Sequence, residues 1–217
     1  IRNLVVLGGS VDGGSAGSDE IDFSGIVTAR TVTLTGVSAT GYSGTATGIT
    51  GGILNINEVT GTIETDTLIG RVLDSATLVP VAGAFILNDT AGSSFTAPAG
   101  GGGPALSFSN FETIQGGAAA DSVDVQADFS GNISTFSGND TVTLQAGVTL
   151  SGVLDTGDDN DTITFQNLSN FSGTLAAGAG TGDELNFNAY ATPRDISLTA
   201  QGAADGYNGD ANQLGFS

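Results

Sequence analysis

One local pattern returns along the whole chain: small or glycine residues, an aspartate, one residue, then an aliphatic. It reads Gly17-Ser18-Asp19-Glu20-Ile21, Glu64-Thr65-Asp66-Thr67-Leu68 and Ala119-Ala120-Asp121-Ser122-Val123. It returns as Gly138-Asn139-Asp140-Thr141-Val142, Asp159-Asn160-Asp161-Thr162-Ile163 and Thr181-Gly182-Asp183-Glu184-Leu185. The Asp-to-Asp steps are 47, 55, 19, 21 and 22 residues. The last three read as single turns of chain, and the first two fit two or three such turns. A step that resets turn, carboxylate and aliphatic together is what each coil of a stacked β structure demands. Its turn and its inward side chain must lie over those of the coil below.

The segments after these aspartates alternate. Thr31-Val32-Thr33-Leu34-Thr35, Asp140-Thr141-Val142-Thr143-Leu144, Asp161-Thr162-Ile163-Thr164-Phe165 and Asp195-Ile196-Ser197-Leu198-Thr199 each put an apolar residue at every second position. That period marks half-buried strands. Gly, Asn, Asp and Ser clusters separate them and supply turns. No stretch of helical length carries a 3.6-residue apolar period, and Gly is too frequent for helices. The chain is therefore expected to be all-β. The form predicted is a right-handed parallel β-helix, or β-solenoid, of about ten rungs and roughly 50 Å at strand spacing. An antiparallel β-sandwich is the alternative. Pro80, Pro98, Pro104 and the Gly100-Gly101-Gly102-Gly103 run break the rhythm. The chain divides into a solenoid half over 1–70, a loop-rich or irregular insertion over 71–106, and a second solenoid half over 107–217.

Longer similarities are present. Residues 9–35 align with 173–199 at a constant offset of 164, with nine identities in 27 positions. The identical pairs include Asp19/Asp183, Glu20/Glu184, Phe23/Phe187, Thr28/Thr192, Arg30/Arg194 and Leu34/Leu198. Gly41-Tyr42 then meets Gly206-Tyr207 after one residue of drift. Asn55-Ile56-Asn57-Glu58-Val59-Thr60-Gly61 also looks like Asn110-Phe111-Glu112-Thr113-Ile114-Gln115-Gly116, and like Ile1-Arg2-Asn3-Leu4. Phe108-Ser109 precedes the second copy, and Phe216-Ser217 would complete the motif before Ile1. The chain reads as an excerpt from a longer one, about one period of a tandem array.

Composition excludes several chemistries. There is no Cys, His, Met or Trp, and the only cations are Arg2, Arg30, Arg71 and Arg194 against 23 acids, for a net charge of −19. Without Cys or His there is no thiolate, disulfide, imidazole base or His-ligated metal. Four arginines argue against nucleic-acid binding, which needs clustered cations. No apolar run is long enough for a membrane span. An enzyme is not expected. The repeated carboxylates follow rung spacing instead of converging on a sugar-binding groove, and such a groove would carry aromatics. Phe23, Phe165, Phe171 and Phe187 read as interior or capping residues, and Tyr42 and Tyr207 as packing in a turn. Arg30 and Arg194 read as partners of a nearby acid or as contacts between subunits.

Calcium is the one metal this composition suits, since it takes six to eight oxygen ligands and Asp-rich, Gly-rich turns supply them. The densest candidate is Asp155-Thr156-Gly157-Asp158-Asp159-Asn160-Asp161. The candidate ligands are Asp155, Asp158, Asp159 and Asp161, with Asp140, Asp183, Asp19 and Asp121 on neighbouring rungs. The alternative is that these aspartates are solvated turn residues bonded to their own backbone.

The windows Gly116-Gly117-Ala118-Ala119-Ala120-Asp121-Ser122-Val123-Asp124 and Thr156-Gly157-Asp158-Asp159-Asn160-Asp161-Thr162-Ile163-Thr164 resemble degenerate copies of the RTX calcium nonapeptide. Residues 13–21 form a third near match. The stretch Asp183-Glu184-Leu185-Asn186-Phe187-Asn188-Ala189-Tyr190-Ala191-Thr192-Pro193 looks like the β-strand repeats of very large bacterial surface and adhesin proteins. The copies stand about 20 residues apart instead of in unbroken tandem, which favours a β-helix over a calcium roll. The resemblance implies an extracellular or cell-surface protein of bacterial origin. The expected function is a structural repeat unit of a fibre, sheath or giant surface protein, stacking end to end with copies of itself or with adjacent repeats. The alternative is a calcium-dependent adhesin module for glycans, or an RTX-like binding module.

Overall fold

The structure is a computed structural model that describes residues 6–73, 77–88, 92–97, 103–201, 206–211 and 215–216. Ile1, Arg2, Asn3, Leu4, Pro98, Gly100, Gly101, Gly102 and Ser217, on which parts of the sequence reading rest, lie outside the described residues, as does the side chain of Tyr207. The described residues form strands and turns with no helix. The strands make two mixed, mostly parallel sheets, one of 13 strands and one of nine.

From Thr113 to Asn186 the chain alternates between the sheets. Thr113–Gln115 lies in the larger sheet, Ser122–Val125 in the smaller and Asn132–Ser134 in the larger. Thr141–Leu144 returns to the smaller, Thr149–Asp155 to the larger, and Thr162–Phe165, Asn170–Ala176 and Glu184–Asn186 continue the alternation. Each strand pairs in parallel with the strand one full pass later. Thr113 faces Asn132, Thr141 faces Thr162, and Thr162 faces Glu184. The pass of about 20 residues legible in the sequence is thus the parallel register itself.

Earlier passes are longer because antiparallel excursions are inserted within a sheet. Thr31–Ser38, Gly41–Ala46 and Ile49–Ile56 form an antiparallel meander in the larger sheet. Ala84–Leu87, Ser93–Thr96 and Leu106–Ser109 form one in the smaller. The 47- and 55-residue aspartate steps are therefore not two or three stacked turns. Asp19 and Asp121 precede strands of the smaller sheet, whereas Asp66 precedes Thr67–Gly70 of the larger. The expected insertion over 71–106 contains most of the second meander.

Parallel register places like side chains over like. Val32, Leu68, Ile114, Ile133, Leu154 and Leu175 are successive partners across the larger sheet, and all are buried. Phe85, Val123, Val142 and Ile163 form a matching column in the smaller sheet, beside Leu87, Val125, Leu144 and Phe165. The two sheets bury these columns in one hydrophobic cluster. Burial of each aliphatic is worth roughly 1.5–3 kcal/mol. Glycines stack where the backbone leaves no room for a side chain. A Cβ on Gly173 would overlap the Gly152 carbonyl, and one on Gly152 the Gly131 carbonyl.

Candidate functional site

The recurrent aspartate stands immediately before Glu20–Asp22, Ser122–Val125, Thr141–Leu144, Thr162–Phe165 and Glu184–Asn186 of the smaller sheet. Its carbonyl already belongs to the ladder: Asp121 O accepts from Thr141 N–H, Asp140 O from Thr162 N–H and Asp161 O from Glu184 N–H. Its N–H has no carbonyl to meet, because the chain is still turning there. An unpaired buried N–H is costly. The carboxylate of the next pass fills the role. Asp140 Oδ1 accepts the Asp121 N–H at 2.7 Å, Asp161 Oδ1 the Asp140 N–H at 2.8 Å, and Asp183 Oδ1 the Asp161 N–H at 2.9 Å. Asp121 opens the series, taking the Gly83 N–H on Oδ1 and the Gly117 N–H on Oδ2. Five passes, from that of Ala84–Leu87 to that of Glu184–Asn186, are thereby joined by a ladder of four carboxylates, each bonded to the backbone of the pass before it.

The ladder is buried and acidic. Asp121, Asp140 and Asp161 are each 1% exposed, and Asp183 is half-buried. Burial pushes the Asp140 carboxyl up to about 7, against the Thr135 hydroxyl and the Asp121 N–H, and repulsion from Asp121 and Asp161 adds to the rise. Asp161 and Asp121 are also raised, first by burial. Oδ2 of Asp140 and of Asp161 has no hydrogen-bond partner. An ionised carboxylate would leave a bare buried charge on that oxygen, which disfavours the charged form and accords with the upward shift.

The same device recurs with residues that sequence reasoning did not single out as site residues. Asn57 Oδ1 accepts the Asp19 N–H at 3.2 Å. On the larger sheet Asp66 accepts from the Arg30 and Thr62 N–H groups and is itself followed by Glu112, whose Oε2 accepts the Asp66 N–H at 2.8 Å. The available signal was positional: Asn57, Asp66 and Glu112 each stand immediately before a short strand.

The 155–161 cluster is divided by this geometry. Asp155 is half-buried at the end of Thr149–Asp155, and Asp158 and Asp159 are exposed in the turn. Asp161 is buried in the ladder. Asp159 Oδ2 accepts the Gly138 N–H at 3.2 Å, and Asn139 Oδ1 accepts the Asn160 N–H at 3.0 Å. Among the described residues no three acidic side chains stand where they would hold one metal ion. Asp19 lies half-buried at the far end of the smaller sheet.

The arginines and aromatics form a second set of contacts. The Arg30 guanidinium lies 5.8 Å from the Phe23 ring and that of Arg194 5.9 Å from Phe187. Arg194 also sits 3.7 Å over Tyr190, and Phe187 stacks on Phe165 at 4.8 Å. Phe23, Phe165 and Phe171 are buried. The Tyr42 hydroxyl is interior, accepting the Ala97 N–H at 3.0 Å.

No family model matches the chain, and neither a curated protein nor a solved structure matches it. No helix among the described residues is long and apolar enough to cross a membrane.

Proposed function

We propose that the alternating passes form a β-solenoid and that the chain is a structural repeat unit of a bacterial extracellular fibre, sheath or giant surface protein. Units stack end to end by main-chain hydrogen bonding. The observation that carries this reading is the ladder. A carboxylate that satisfies the backbone of the previous pass has a fixed direction, so every pass is built to receive another. Aliphatic columns across the successive parallel strands of both sheets follow the same direction. Among the described residues the sheets end on strands that have a neighbour on one side only, at Glu20–Asp22 and Glu184–Asn186 in the smaller sheet and at Val11–Asp12 and Ile196–Gln201 in the larger. Such strands accept others by edge pairing.

Acidity suits the role. A net charge of −19 keeps the sides of a stack apart in solution, and cations would screen the repulsion when units assemble. Negative-stain microscopy of the purified chain at rising concentration and ionic strength tests the reading. Unbranched filaments about one unit wide are expected. Particles that remain single units under all conditions, with both edges blocked by their own loops, would sink it.

A further inference from the structure

The molecule contains a five-strand module twice. Val11–Asp12, Glu20–Asp22, Thr31–Ser38, Gly41–Ala46 and Ile49–Ile56 correspond to Asn170–Ala176, Glu184–Asn186, Ile196–Gln201, Tyr207–Ala211 and Gly215–Phe216. The second strand of each lies in the smaller sheet and the others in the larger. The hairpins share a register: Val32 faces Ala46 as Ile196 faces Ala211, and Val37 faces Tyr42 as Gln201 faces Tyr207. The irregularity falls at the same place, between Leu34 and Gly36 in one and between Leu198 and Ala200 in the other. The fifth strand returns parallel to the first in both, with Val11 against Ile53 and Leu175 against Phe216. The Phe23–Arg30 contact reappears as Phe187–Arg194 at nearly the same distance. These correspondences carry an offset of 163 to 165, shorter than a period of the full 217 residues.

The first module shows what covers its edges. Glu20–Asp22 is covered by Glu58–Thr60, with Glu20 on Glu58 and Ile21 on Val59. Thr31–Ser38 is covered by Thr67–Gly70, with Val32 on Leu68 and Leu34 on Gly70. Asn57 and Asp66 take the N–H groups of Asp19 and Arg30, just ahead of those strands. In the second module, Glu184–Asn186 and Ile196–Gln201 are, among the described residues, the last strands of their sheets.

We infer that these two edges form one docking surface for a strand pair of the 57–70 sequence, supplied by a further run of this repeat in which the second module stands in place of the first. The register is fixed. Glu184 faces the Glu58 position, Leu185 the Val59 position, Asn186 the Thr60 position and Ile196 the Leu68 position. The incoming Asn57 side-chain Oδ1 takes the Asp183 N–H, and the incoming Asp66 carboxylate takes the Arg194 N–H. This rests on the stacking reading above but adds the partner, the overlap and the register. One five-strand module serves as the end of one unit and the start of the next.

The test extends the full chain after Ser217 with a second run of its own residues 55–217, because Phe216 occupies the place of Ile53 and one residue follows it. The chain has no cysteine of its own. A Glu184→Cys substitution paired with Glu58→Cys in the added run is expected to close a disulfide under glutathione disulfide, while Glu184→Cys paired with Thr60→Cys stays open. Amide exchange at Leu185 and Asn186 is expected to slow by ~10-fold or more relative to the 217-residue chain. An added run that stays protease-sensitive, or crosslinking equal at both registers, overturns the docking assignment. Filaments of the 217-residue chain without the Glu184–Glu58 crosslink leave stacking in place and remove this register. The crosslink without filaments keeps the register and removes the fibre.

Discussion

At the scale of single residues, the buried carboxylates decide how the molecule responds to pH. Asp140 in the folded chain titrates at about 7, above the ordinary carboxylate range it has when unfolded. Below that ordinary range the group is protonated in both states and the fold keeps its full stability. As pH rises through about 7 the folded chain must take on a charge the unfolded chain already carries, so stability falls across that window. Asp140→Asn keeps an oxygen acceptor for the Asp121 N–H and removes the charge. It is expected to raise Tm at pH 8 and to flatten the dependence of Tm on pH between 4 and 7. A variant whose slope equals that of the parent would contradict the burial account. Asp66→Ala strips the Arg30 and Thr62 N–H groups of their acceptor and is expected to cost about 2–4 kcal/mol in chemical denaturation. Asp158→Ala, in the exposed turn, is expected to cost under about 0.5 kcal/mol. The recurrence of these aspartates was legible in the sequence, but their separation was not. Asp155 to Asp161 read as one cluster because they are neighbours along the chain. The strand that ends at Asp155 and the turn that follows send them to different environments.

At the scale of elements, the alternating segments and the 19- to 22-residue step gave the strands and the parallel register of the later passes. The antiparallel meanders were hidden, because alternation reports a buried face and not the direction of the neighbour. Thr31–Ser38 shows this directly: it pairs antiparallel with Gly41–Ala46 and parallel with Thr67–Gly70. The stacked glycines carry an element-level prediction. Gly152 has φ of 129° and no room for a Cβ beneath Gly131. Gly152→Ala is expected to cost roughly 2–5 kcal/mol, from overpacking and backbone strain together. Gly147 has φ of 76° in open space, so Gly147→Ala is expected to cost only the strain, about 1–2 kcal/mol. Equal losses in urea titrations of the two variants would mean that the stacked backbones are not in contact.

At the scale of the whole molecule, ladder, columns and edges share one direction. The 164-residue similarity announced a repeat, and the conserved hairpin register locates it in particular strands. What the sequence could not show is which edges remain for a partner, because that depends on the order of strands in each sheet and not on their composition. On the proposed stacking, the charge of −19 predicts that assembly strengthens with salt. The most direct measurement of stacking is X-ray fibre diffraction from aligned assemblies of the chain. Strands lying across the fibre and passes stacked along it place the ~4.8 Å strand spacing on the meridian. A ~4.8 Å reflection on the equator, or assemblies with no oriented strand spacing, would contradict end-to-end stacking.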